Sequence, residues 1–460
     1  MARNYEMDMT QGPLLSKIVR FSLPVVLMGL LQFLYSAADM IVAGKFAGSE
    51  ALAAVGSTGS LINLIVALFL GISVGVSVAV AQHFGAREYD AVGKTVHTAI
   101  LVALVGGAAL GAFGFFMSRA FLVWMGSPAD VIDQAALYMR IYFIGLPMLM
   151  LYNFGASVLR AVGDTKRPLY FLIIASVVHI ALNLLLVIRF HMGVAGVALA
   201  TVVSQALSAA LVVNCLMRTP GPCRLELKKL ALDWGKLGEM MHIGLPAGVQ
   251  SSLFSVSNVL IQSSINSFGS IAMAGNSAAA NLENFIYISM NSVSQSALTF
   301  VSQNVGARRY ERIGASVRYC NALVFAVGAL TGAVLILLRT GLLSLYNADP
   351  EVISYGSVRL LIIAPTYFIC GFMEVYTGGL RGMGRSVTPM LVSIFGACVL
   401  RILWLATVFR IFQTTASIYI SYPVSWLITM LVQMLCFNAV KKKITRQPQE
   451  RGQEEAAIGR

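Results

Sequence analysis

Apolar residues run through this chain in long blocks separated by short polar stretches. A bilayer core is crossed by about 20 apolar residues in a helix. On that measure the pattern predicts twelve spans, near residues 21 to 43, 53 to 81, 95 to 117, 135 to 159, 169 to 188, 193 to 216, 241 to 267, 275 to 301, 319 to 338, 355 to 379, 388 to 409 and 416 to 439. The first block, FSLPVVLMGLLQFLYSAADMIVA from Phe21 to Ala43, carries a carboxylate, Asp39. An acid at that depth is costly and by default functional. Gln32, Tyr35 or Ser36, and Asp39 recur at three- and four-residue steps, so they share one helix face that should look inward. The plainer alternative for Asp39 is a hydrogen bond to a neighbouring helix or a place near the outer interface.

Composition agrees with the pattern. With 57% hydrophobic residues, 12% charged residues and a mean hydropathy of +0.77, the chain is no water-soluble globule, in which about 25% of residues are charged. The net charge of +13 matters through its placement. Lys and Arg cluster before the first span, at 82–94, 160–167, 218–236, 303–318 and 381–385, and after the last span. By the positive-inside rule these segments face the cytoplasm, with both termini. Lys45, Arg119, Arg140, Arg189, Arg339, Arg359 and Arg410 then mark the opposite boundary, and Arg401 lies near the middle of span eleven. The expected protein is an all-α, multi-pass cell-membrane protein whose basic clusters meet lipid and no nucleic acid. The first block is too long for a signal-peptide core and is expected to stay.

Chemistry-bearing motifs are few. Six cysteines lie singly, with no metal-like spacing, and read as structural thiols. Gly93-Lys94-Thr95 ends like a phosphate-binding loop, but Glu88 occupies the position of its first glycine. No HExxH or GxSxG occurs, so neither an enzymatic activity nor a cofactor is expected.

The chain repeats itself. QHFGAR (Gln82 to Arg87) matches QNVGAR (Gln303 to Arg308), and LRAVGDTKRP (Leu159 to Pro168) matches LRGMGRSVTP (Leu380 to Pro389), both at an offset of 221. SLP ending at Pro24 matches GLP ending at Pro246 at 222. Because six spans is an even number, two six-helix halves have the same topology and form parallel repeats. The expected segments are an N-terminus 1–20, an N-lobe 21–217, a linker 218–240, a C-lobe 241–440 and a charged tail 441–460. Beside Asp39, only Glu283 and Glu374 among the acids fall well inside spans. Glu374 lies seven residues before Arg381 and Asn153 seven before Arg160, so the repeat makes them counterparts. Glu374, Glu283, Gln32 and Asn153 are therefore candidates for holding cargo. Hydrogen bonding between helices, or pairing with Arg401, is the alternative for the two glutamates.

Twelve spans in two parallel halves, GSEALAAVG (Gly48 to Gly56) and the repeated QxxGAR and LRxxG loops resemble the multidrug and toxic compound extrusion (MATE) family of the MOP superfamily. The resemblance implies a V-shaped pair of lobes around a central cavity. It also implies alternating-access antiport of a coupling cation against amphipathic organic cations, by a monomer. It places Asp39 at the N-lobe cation site and Thr201 at a hydroxyl position of that site. A buried Thr can equally bond its own helix carbonyl. Where similar sequences read Asn-x-x-x-Asp, this one reads HIALN, so His179 and Asn183 stand there, still on one helix face. His179 is either part of the site or a core histidine. Sodium wants several oxygens and negative charge, so a proton is favoured over sodium as coupling ion. The coupling set is Asp39, Asn183, His179, Tyr35 and Thr201. Export of a lipid-linked or oligosaccharide precursor by a related flippase is the alternative. The scarcity of basic residues inside the spans argues against it.

Overall fold

The computed structural model describes residues 6–128 and 130–458, so the first five residues of the expected N-terminus and the last two of the tail lie outside the described residues. Its α-helices are α1 (Leu14–Val42), α2 (Ser49–Ala86), α3 (Tyr89–Trp124), α4 (Ile132–Ile144), α5 (Leu146–Ala161), α6 (Lys166–Leu184), α7 (Gly193–Arg218) and α8 (Trp234–Asn266). They continue as α9 (Ser270–Gly306), α10 (Tyr310–Ser344), α11 (Pro350–Ile363), α12 (Tyr367–Gly382), α13 (Val387–Ser393), α14 (Leu400–Ala406), α15 (Val408–Ile411) and α16 (Thr415–Ile458). Among the described residues there is no strand.

The predicted spans appear with three differences. The segment 135 to 159 is a broken rod, α4 and α5, bent by 47° at Gly145, where Pro147 has no N–H to bond the preceding turn. Among the described residues nine helices are long and apolar enough to cross a membrane, or ten with this pair counted as one span. Spans seven and eight, α8 and α9, have the length but are too rich in Ser, Asn and Gly to pass on composition. Past the last predicted span, α16 runs on to Ile458, because Lys, Arg, Gln, Glu and Ala are good helix formers whether or not they alternate with apolar residues.

The repeat is visible in the backbone at matching positions. Arg87 and Arg308 both take left-handed conformations, φ 62° and 56°, at the ends of α2 and α9. Arg87 N–H donates to Phe84 O and Arg308 N–H to Val305 O, while the next residues reach His83 O and Asn304 O. These are paired helix-terminating bonds that satisfy the last carbonyls. The LRxxG loops behave alike, with Gly163 N–H to Arg160 O and Gly384 N–H to Arg381 O.

The chain divides into two compact units, Met1–Met7 with Leu27–Gly248, and Asp8–Val26 with Val249–Arg460. The boundaries therefore fall inside α1 and α8, just past Pro24 and Pro246, and the linker 218–240 belongs wholly to the first unit. In that unit the first half of α8 packs on α2. A Cβ at Gly71 or Gly75 would strike the backbone of Met240, Gly244 and Gly248, so small residues let the two helices touch. In the second unit the first half of α1 packs on α9, with Phe21 edge-on to Phe300 at 6.0 Å and Ser22 Oγ 2.7 Å from Ser296 Oγ.

Candidate functional site

Four polar side chains of the first unit converge in a buried cluster. Asp39 sits on the last turn of α1, His179 and Asn183 one turn apart on α6, and Thr201 on α7. Asn183 Nδ2 donates to Asp39 Oδ1 at 2.6 Å, and Thr201 Oγ1 lies 3.2 Å from Oδ2. His179 Nε2 is 3.0 Å from Asp39 Oδ1 and 3.4 Å from Thr201 Oγ1. Tyr35, one turn before Asp39, lays its ring on the imidazole with centroids 4.1 Å apart and planes 19° from parallel. The structure thus brings together all five residues of the expected coupling set. Thr201 has a second acceptor, Val197 O at 3.1 Å, and one hydroxyl proton serves either.

The cluster leaves polar capacity unused. His179 Nδ1 and Asn183 Oδ1 are buried with no partner, where an unmet buried polar group costs about 1–3 kcal/mol. Unmet groups of this kind in a membrane helix bundle are candidates for a functional role. Two π-turns, Ala43–Ala47 and Leu185–Arg189, close the helices just beyond Asp39 and Asn183. Turns of that type often mark functional positions. Nothing in residue spacing reveals them.

The expected cargo residues are divided between the units, Gln32 and Asn153 in the first, Glu283 and Glu374 in the second. Gln32 is exposed, and Asn153 Nδ2 is spent on its own helix, donating to Leu149 O at 2.8 Å. In the second unit Glu283 is matched by a cation that the sequence reading puts at the membrane boundary. Arg359 is buried and grips the carboxylate with two arms, Nε to Oε1 at 3.0 Å and Nη2 to Oε2 at 2.7 Å. Its Nη1 donates to Asn276 Oδ1 at 2.7 Å. Glu374, half-buried on α12, forms no ion pair among the described residues. Residue spacing carried no sign of this pairing, since Arg359 lies four residues into the span that the pattern begins at 355.

The MatE family model matches the chain twice, over residues 24–185 and 246–407. The chain belongs to the MatE family. Its matched segments begin at the two helix prolines and repeat at an offset of 222, in line with the internal duplication. Relatives of this MatE chain include a probable multidrug resistance protein of Bacillus subtilis, YoeA, 26% identical over 93% of this chain and 94% of its own. An FAD transporter of Shewanella oneidensis is 23% identical over 94% and 95%. A multidrug export protein of Staphylococcus aureus, MepA, is 20% identical over 95% and 96%. An outward-facing MATE transporter structure of the MOP superfamily superposes with a TM-score of 0.89 at 20% identity, covering 95% of this chain and 98% of that one. Being of the MatE family, the chain is a membrane transporter and no enzyme.

Proposed function

We propose that this protein is a secondary active multidrug exporter of the cell membrane. It couples inward proton movement to outward movement of amphipathic organic cations by alternating access, with both termini in the cytoplasm. The observation that carries the reading is the buried carboxylate of Asp39 ringed by Asn183, Thr201 and His179. Relatives named as multidrug resistance and export proteins support the reading of drug export.

A proton suits this ring better than sodium does. A hard cation needs about six oxygens, whereas an imidazole nitrogen fills one side of Asp39 and an amide nitrogen another. Protonating Asp39 would turn one carboxylate oxygen from acceptor to donor and remove the charge that holds its three neighbours. That supplies the difference between states that a coupling ion must exploit. Exchange of one proton for one monovalent cation moves no net charge, so the pH difference drives it, at about 1.4 kcal/mol or a roughly tenfold drug gradient per pH unit. Asp39→Asn keeps the size and most hydrogen bonds, so it should fold yet lose export of a cationic dye from vesicles under an imposed pH gradient. Normal pH-driven export by that variant, or wild-type export that follows sodium and ignores pH, would sink the proposal.

A further inference from the structure

The second unit holds the counterpart of the Asp39 cluster, and its charge is inverted. Matching the halves requires the register to change between 221 and 222, and the π-turns account for each change. A π-turn bonds i to i+5, enclosing one more residue than an α-turn. The offset is 222 at Pro24 and Pro246. Past the π-turn Ala43–Ala47 of the first half it is 221, as at Gly48 and Gly269, which both have positive φ, 98° and 91°. It stays 221 through Pro168 and Pro389. The π-turn Ile394–Val399 of the second half then raises it to 222, and Leu185–Arg189 lowers it again. In this register Asp39 corresponds to Ile261, His179 to Arg401, Asn183 to Leu405 and Thr201 to Tyr422.

The counterpart site therefore has a guanidinium and no carboxylate. Arg401 is buried, only 3% exposed. Its Nε donates to Ser425 Oγ at 2.9 Å, and its plane lies over Tyr422 at 4.2 Å and near Trp426 at 5.8 Å. Tyr367 closes on Trp426 at 5.2 Å. Tyr422 also faces Arg359 at 5.5 Å, but Glu283 already matches that cation. One buried carboxylate thus serves two buried guanidiniums, and Arg401 forms no ion pair among the described residues. A lone buried charge costs several kcal/mol, of which cation–π contact returns about 2. Ser425 uses the Nε edge, leaving the terminal Nη fork, whose geometry fits a carboxylate or phosphate with two parallel bonds.

We propose that Arg401, with Ser425, Tyr422 and Trp426, is a binding site for an oxyanion, a carboxylate or phosphate, borne on an aromatic body that is cargo. The aromatic wall favours such a cargo over a lipid headgroup, which has no ring to stack. The assignment as cargo rests on the reading of the chain as an exporter, whereas the anion site itself does not. Cargo holding a cation as well as an oxyanion would use both charges.

The test uses the full-length protein purified in uncharged detergent, with 2-naphthoate, 2-naphthyl phosphate and neutral 2-naphthamide as probes, read by tryptophan quenching and thermal shift. Wild type should bind the two anions at least about tenfold more tightly than the amide, the worth of a charge-assisted pair. Arg401→Gln should bind all three alike and melt no lower than wild type. Arg401→Lys keeps a point charge without the fork and should lose about tenfold for the anions. Asp39→Asn should keep the full anion preference while losing pH-driven export, so failure of the export reading and failure of the anion site are told apart. Equal binding of anion and amide by wild type, or an anion preference retained in Arg401→Gln or undiminished in Arg401→Lys, overturns the site. Displacement of naphthoate by added phosphatidylglycerol gives the guanidinium to a lipid phosphate and overturns the cargo assignment.

Discussion

Replacing Glu283 with Gln removes the charge from the most completely engaged ion pair of the second unit. Arg359 holds Glu283 at 2.7 and 3.0 Å, and Asn276, which takes the third arm, in turn donates to Gln262 Oε1 at 2.9 Å. Both charges are out of water, with side-chain exposures of 8% and 3%, so the variant leaves Arg359 buried and uncompensated. Breaking a buried pair from one side costs about 3–5 kcal/mol. That lowers the folding equilibrium constant by roughly two to three and a half orders of magnitude. Arg359→Met should cost as much, since it strands the carboxylate instead. The double variant Glu283→Met with Arg359→Met loses both charges at similar volume, and such exchanges are often neutral or stabilising. A double-mutant cycle on the purified protein, unfolded chemically in mixed micelles, measures the coupling. Single variants that each cost below about 1 kcal/mol and add in the double would describe a solvated, weak pair. The reasoning would then fail, and Glu283 would be available to cationic cargo after all.

If Glu283 is committed to Arg359, Glu374 is the carboxylate left for cargo in that unit. Glu374→Gln should then weaken efflux of a cationic dye by about tenfold relative to a neutral one, since only the charge is removed. Equal loss for both dyes, with lowered protein levels, would indicate a packing role. For topology, a reporter active only in the cytoplasm should work when fused after Arg460 and after Leu230 and fail after Ser49; the reverse pattern would undo the orientation read from Lys and Arg placement.

The coupling cluster was legible because the resemblance to the MATE family groups Asp39, His179, Asn183 and Thr201, up to 162 residues apart, and local spacing agrees with that grouping. Steps of three and four residues put Tyr35 with Asp39, and His179 with Asn183, on single faces, and the similar distances of Asp39 from Lys45 and Asn183 from Arg189 set them at one depth. Gln32 shared that periodicity yet is exposed, because a helix face spans more than the arc one site can use. The partner of Arg359 was not legible because Glu283 lies 76 residues away, and no spacing rule reaches so far. The π-turns were invisible for a different reason. An i to i+5 turn is chosen by the packing of neighbouring helices, so the change of register that pairs His179 with Arg401 emerges only from the folded backbone.

The first half of α1 is counted with the second unit, and the first half of α8 with the first. Each half-length product therefore makes one helical piece that it cannot bury itself and lacks one that it needs. Phe21 would lose Phe300, and Gly71 and Gly75 would face lipid in place of the backbone around Gly244. In an unduplicated ancestor the same lending and borrowing could be completed only by a second copy. The gene fusion would then have made permanent an exchange that two identical chains had practised, and two halves synthesised separately from this chain should find each other where either alone is degraded.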